Sequence, residues 1–262
     1  MLLYQHPPCS WSLRYQRALD HFDTFHKTFE WFRESHPCKL AVNPQSEHPG
    51  GLIYVKGIDA APLQLSVMLG DALQNLRQSL DHIVWELSIG ATDNSRTEFF
   101  ISDNAKLFRT RGMGRIARVT DDAKAFIDAV QPYYRGDFTD KAHAEPLWIL
   151  DRLGNVDKHR AIHLLMVKPH GTSIRFITPE RVEYWDLTPP NIKLEPGAVV
   201  GAVTQEQLDA ISKGEVNMNF TMELEIAFAD GPAKDRLVRE VWAELSAEVD
   251  AILTRLSYWL VE

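Results

Sequence analysis

Near the start of the chain, Trp11, Tyr15, Ala18, Phe22, Phe25, Phe29 and Phe32 recur in alternating steps of four and three. At 3.6 residues per turn this spacing draws one apolar stripe and predicts an amphipathic helix. Ser10 supplies a cap, and His36-Pro37 a stop just beyond Glu34. Large rings at helical spacing read as packed core rather than as a surface for stacking a cofactor.

Two short extended stretches follow, 39–42 and 52–58, separated by the turn-rich NPQSEHPGG, and read as a hairpin or as two strands flanking a loop. A helix over 62–89 is opened by Pro62 and closed by Gly90. Its apolar face is Leu69, Leu73, Leu76, Leu80, Ile83, Val84 and Leu87, and the other carries Asp71, Asn75, Gln78, His82 and Glu86. The pattern over 95–120 is irregular. A helix is expected over 121–130, and another from Pro146 through Leu147, Trp148, Leu150 and Leu153, with a break or bend at Gly154.

The period then changes to two. Strands are expected at 164–168, 173–178 and 181–186, and a long one over 216–228. In the last, Val216, Met218, Phe220, Met222, Leu224, Ile226 and Phe228 share one face, while Asn217, Asn219, Thr221, Glu223 and Glu225 share the wet one. A final helix from about Asp235 aligns Leu237, Val238, Val241, Trp242, Leu245, Val249, Ile252, Leu256 and Trp259. The expected class is α+β: one domain over 1–262, with a helical bundle at 10–163 and 235–260 and an antiparallel sheet, mainly 164–228, inserted before the last helix. The first and last helices should pack together.

Composition narrows the function. The 262 residues are 45% hydrophobic and 24% charged, ordinary globular usage that argues against disorder. Cys9 and Cys38 are too few for a disulfide framework or a four-thiolate zinc site and suit a reducing cytosol. MLLYQHPPCS lacks the features of a signal peptide, and no membrane span is expected, so the expected location is cytoplasmic. A net charge of −8 speaks against a general nucleic-acid coat but leaves room for a local basic site. The segment 106–118 is such a place: Lys106, Arg109, Arg111, Arg115 and Arg118 occur without an acid, and Gly112 and Gly114 free the backbone to turn amides toward a phosphate.

The densest polar cluster is Asn155-Val156-Asp157-Lys158-His159-Arg160-Ala161-Ile162-His163. On a helix Asn155, His159 and His163 would share a face, and two imidazoles four apart can chelate a metal. The second cluster lies on the long helix, where Arg77 and Asp81 are spaced for an ion pair and His82 sits beside Asn75, Gln78 and Glu86. Arg77 and His82 resemble the Arg-x4–6-His motif of HEPN helical ribonucleases, in which arginine stabilises charge on the scissile phosphate and histidine moves a proton without metal. With 17 arginines and 10 histidines in the chain, about two such pairs arise by chance, and three occur: Arg14/His21, Arg77/His82 and Arg152/His159.

GDALQNLRQSLDHIVWEL, VQPYYRGD and LWILDRLGNVDKHRAIHLL, in that order, resemble a family of uncharacterised bacterial proteins, chiefly actinobacterial. The resemblance spans most of the chain and implies a bacterial cytosolic protein. It carries no assigned activity, but places Asn75, Arg77, Asp81, His82, Asp157, His159 and Arg160 in the family's most recognisable motifs.

The leading expectation is a metal-independent Arg/His phosphodiesterase, most concretely a ribonuclease, without a cofactor. Asp81 and His82 would face Asp157, His159 and Arg160 across a pocket, with His82 or His159 as general base and Arg77 or Arg160 holding the anionic group. Asn75, Arg109, Arg111 and Arg115 would contact the ligand, an anionic small molecule or RNA. The alternative is a non-catalytic binding or interaction protein in which the Asp/His/Arg cluster is a buried structural network. A third option is a metalloprotein using His159 and His163. A homodimer is left open.

Overall fold

The computed structural model describes residues 9–35, 37–44, 50–88, 90, 96–167, 173–177, 182–186, 193–213 and 224–260. The chain is α+β and rich in helix. It divides into two compact units. The first takes the described residues up to His26, those of 64–163 and those from Asp230 on, and the second takes those of 27–63 and 164–229.

The first unit is helical. Helix α1, Ser10–Glu34, begins here, and Trp11, Ala18, Phe25, Phe29 and Phe32 of its stripe are buried. Helix α2 is Leu63–Leu87, and all seven residues of its expected apolar face are buried. Each such side chain withdrawn from water contributes roughly 1.5–3 kcal/mol. Helices α3, Asp121–Ala129, α4, Pro146–His159, and α5, Val238–Ser257, complete the main set. The expected pairing of first and last helices is present: Phe22 stacks on Trp242 with centroids 4.3 Å apart, and the Tyr15 hydroxyl donates to the Ser246 carbonyl at 3.4 Å.

Two helical expectations are corrected. The basic stretch is not irregular, because 105–115 is helical with a π turn at Phe108–Gly112. Gly112 fits packing there rather than a free turn: a Cβ on it would lie 2.7 Å from the Phe108 ring. Nor does Gly154 break α4, which passes through it and ends at His159, where Arg160 becomes extended. A lone glycine costs a helix about 1 kcal/mol, too little to break one packed against its neighbours.

The second unit holds the strands β1 Cys38–Asn43, β2 Gly51–Ile58, β3 Leu164–Val167, β4 Ser173–Ile177, β5 Val182–Asp186, β6 Val199–Val203 and β7 Glu225–Phe228. One inserted sheet was expected; among the described residues the strands pair as antiparallel β1-β2-β6, β3-β7 and β4-β5. The hairpin at 38–58 thus belongs to the strand-bearing unit, where Ile53 and Val55 join the core with Val200 and Val203 of the unforeseen β6. A short helix, Gln205–Ser212, was also unforeseen. Positions 216–223 of the expected long strand lie outside the described residues, while 225–228 pair with β3, Leu164 opposite Phe228. Among the described residues no helix is long and apolar enough to cross a membrane.

Candidate functional site

Within the first unit, α2 and α4 meet at Gly70 and Gly154. A Cβ on Gly70 would stand 2.0 Å from Asp157 Oδ1, so the missing side chain is what admits the carboxylate. Gln74 Nε2 donates to the Gly154 carbonyl at 2.8 Å and to Asp157 Oδ2 at 3.3 Å. Burial, with the Asp71 charge adding to it, raises the Asp157 pKa, and the Gln74 hydrogen bond opposes the rise.

One turn further along α2, Arg77 and Asp81 grip the extended stretch before the basic helix. Arg77 Nη1 donates to Asp81 Oδ1 at 2.6 Å and Nη2 to the Phe99 carbonyl at 2.7 Å, while Phe99 N–H donates to the same Asp81 oxygen at 2.9 Å. Phe99 is fully buried. The pair therefore satisfies both backbone groups of a core residue, which an i, i+4 ion pair on a solvated face does not do.

These contacts floor a polar cleft of about 500 Å³ whose walls include Gln74, Arg77, Gln78, Asp81, Asp151, Arg152 and Lys158. Glu98, also on its wall, is paired with Arg115 at 3.2 Å. Neither Arg152 nor Lys158 makes an ion pair among the described residues. Asp151 accepts from Asn155 Nδ2 at 3.1 Å. Its carboxyl is pushed above the usual range by burial and by the Asp81 charge, against the pull of Arg77, Arg152 and Lys158. The cleft thus combines two cations without an ion-pair partner among the described residues, two amides and an acid whose pKa burial raises against their pull.

The residues singled out in the sequence are distributed over several places. Arg77 and Asp81 reach the cleft. His82 faces elsewhere: its Nδ1 lies 3.0 Å from Ser10 Oγ, and Ser10 donates through Oγ (2.6 Å) and backbone N (3.0 Å) to Glu86 Oε1, closing the start of α1. Five positions on a helix turn a side chain by about 140°, so Arg77 and His82 leave α2 in different directions. Asn75 accepts from Arg14 at 3.2 Å. Asp157 is spent on the helix crossing. Arg160 donates to both oxygens of Asp230 at 3.1 and 3.0 Å, and His163 Nδ1 lies 2.9 Å from Oδ2. Arg160 foremost, and His163, lower the Asp230 pKa.

The shared helical face of Asn155, His159 and His163 is overturned, since α4 ends at His159. Among the described residues no group of three or more His, Cys, Asp or Glu is placed to hold a metal. Arg109 and Arg111 are exposed on the basic helix, whose backbone amides enter helical bonding instead of converging on a phosphate.

Sequence reasoning gave no site role to Asp151, Arg152 or Lys158, although it named the last two. Asp151, Gly154 and Lys158 follow an i, i+3, i+7 stripe on α4 that matches Gln74, Arg77 and Asp81 on α2, a signal hidden by the conspicuous histidines beside it. It also missed a buried carboxylate, Asp103, which faces His143 Nε2 at 2.9 Å and Trp148 Nε1 at 3.2 Å.

Comparison with protein-family models, with curated proteins and with solved structures finds no match to this chain.

Proposed function

We propose that the protein binds a small anionic ligand in the cleft between α2 and α4. One observation carries this reading: Arg152 and Lys158 line the cleft without an ion-pair partner among the described residues, whereas Arg77 there is paired with Asp81. A guanidinium and an ammonium without ion-pair partners on a concave wall favour a carboxylate or phosphate, with Gln74 and Gln78 offering hydrogen bonds to its remaining oxygens. Asp151, whose pKa burial raises, lies on the same wall, and its carboxylate opposes the charge of an incoming anion.

The Arg/His phosphodiesterase version receives less support. It asks Arg77 and His82 to address one phosphate, yet Arg77 is occupied by Asp81 and Phe99 and His82 by Ser10. Purified protein that cleaves labelled RNA in the absence of metal, and loses cleavage in His82→Ala, would restore it.

Titration calorimetry with inorganic phosphate and with succinate tests the binding reading. Saturable binding of either is expected, at least tenfold weaker in Arg152→Ala/Lys158→Ala and tighter in Asp151→Asn, where a nearby negative charge is removed. No saturable binding, or binding indifferent to the double substitution, overturns it.

A further inference from the structure

Arg152 borders a second concavity on the neighbouring flank of α4, a hollow of about 580 Å³ lined by Trp148, His159, Arg160 and Pro232 among others, none of them acidic. Arg160 spends its charge on Asp230, which leaves Arg152 as the guanidinium of this lining without an ion-pair partner among the described residues. The hollow and the cleft therefore share one cation but differ in the rest of their chemistry. The cleft is lined with hydrogen-bonding groups, whereas the hollow offers an indole and a proline ring.

Trp148 is a prepared surface. Its Nε1 is fixed on Asp103 Oδ2 at 3.2 Å, and the same oxygen faces His143 Nε2 at 2.9 Å. The His143 ring stacks on the indole with centroids 4.2 Å apart and planes 17° from parallel. Asp103 is buried, so the indole is anchored at its edge by a carboxylate inside the protein and supported on a face by a second ring. A ring held in this way loses little freedom when a ligand lands on it. The Arg152 guanidinium stands over the indole in a cation–π contact, its carbon 5.5 Å from the ring centroid. A planar ring stacking on Trp148 would displace that flexible side chain toward its own rim, where a charged substituent meets a cation that has no ion-pair partner among the described residues.

We infer that the hollow takes a small planar aromatic ring bearing a carboxylate or phosphate, the ring resting on Trp148 and Pro232 and the charge on Arg152. This rests on the reading of Arg152 as an anion-binding residue and adds the organic part of the ligand.

Calorimetry with two matched pairs tests it: phenyl phosphate against inorganic phosphate, and benzoate against cyclohexanecarboxylate. The aromatic member of at least one pair should bind several-fold to about tenfold tighter, as ring stacking allows, and the pair that shows the preference tells phosphate from carboxylate. Trp148→Leu should abolish the preference and Trp148→Phe should keep part of it, with thermal unfolding confirming that both variants are folded. Equal binding within both pairs, or a preference that survives Trp148→Leu, overturns the inference while inorganic phosphate binding leaves the anion site standing. Failure of every probe to bind removes both.

Discussion

Gly70 and Asp157 share a space that a single methyl group would fill: a Cβ on Gly70 would lie 2.0 Å from the Asp157 carboxylate oxygen and 2.6 Å from its carbon. The glycine at the other side of the crossing is different, since a Cβ on Gly154 would meet only Gln74 Nε2 at 3.9 Å, an ordinary contact. The two alanine substitutions should therefore move stability in opposite directions. Gly154→Ala gains helix propensity and should stabilise by up to about 1 kcal/mol. Gly70→Ala must displace a short side chain and should lose about 1–3 kcal/mol, the usual range for overpacking. Urea unfolding of both, and of Gly70→Ala/Asp157→Ala, checks this: the double variant should recover much of the loss if the clash is with Asp157.

Asp81 and His82 are adjacent in sequence and unequal in structure. Removing the Asp81 carboxylate strands the Phe99 N–H and leaves Arg77 without its counter-charge, so Asp81→Ala should cost about 1–3 kcal/mol. His82→Ala gives up one hydrogen bond at a half-exposed position and should cost no more than about 1 kcal/mol. Denaturant midpoints that place His82→Ala at or beyond Asp81→Ala would show that the clamp on Phe99 has been misjudged.

Helix periodicity exposed the core well because burial repeats over many turns: every apolar position named on α2 is buried, and α1 and α5 meet through the residues that their stripes select. The polar site was less legible. Asp157, His159 and Arg160 are neighbours along the chain but go to a helix crossing, a hollow and an ion pair with Asp230, because Asp157 and His159 leave α4 about 200° apart and Arg160 has already left the helix. Which polar residues converge depends on the partner helix, and the spacing of α4 alone does not specify that. The strand β6 was hidden for a related reason. GAVVGAV has no alternation of polar and apolar residues, and its place against β2 is a long-range pairing that leaves no local mark.

Ser10 also fixes the tautomer of His82. A hydroxyl has one proton, and at 2.6 Å it is given to the Glu86 carboxylate, so the hydrogen bond from His82 at 3.0 Å must be donated by Nδ1–H. Nitrogen NMR of neutral His82 should show the Nδ1–H form, the minority tautomer of free histidine, and Ser10→Ala or Glu86→Gln should weaken that preference. Because Glu86 also accepts the Ser10 backbone N–H, Glu86→Ala should loosen the start of α1 at a cost of about 0.5–2 kcal/mol, as for loss of an N-cap.

Asp151 makes stability depend on pH in the direction opposite to that of most paired carboxylates. Its folded pKa is raised, chiefly by burial, so the folded state holds the proton more tightly than the unfolded chain does. As pH climbs through the ordinary carboxylate range, the unfolded chain releases its proton first, and this residue's contribution falls until the folded group has also ionised. Above that window the protein carries the full penalty of an ionised, half-buried Asp151. Asp151→Asn preserves an acceptor for Asn155 and removes the charge, so it should unfold at a higher temperature than the parent at pH 7. The advantage should shrink as pH is lowered toward and below the usual aspartate value. Parallel melting curves between pH 3 and pH 8 decide it. A variant that melts lower than the parent at pH 7 would mean that Arg152, Lys158 and Arg77 outweigh burial and that the cleft favours an ionised Asp151.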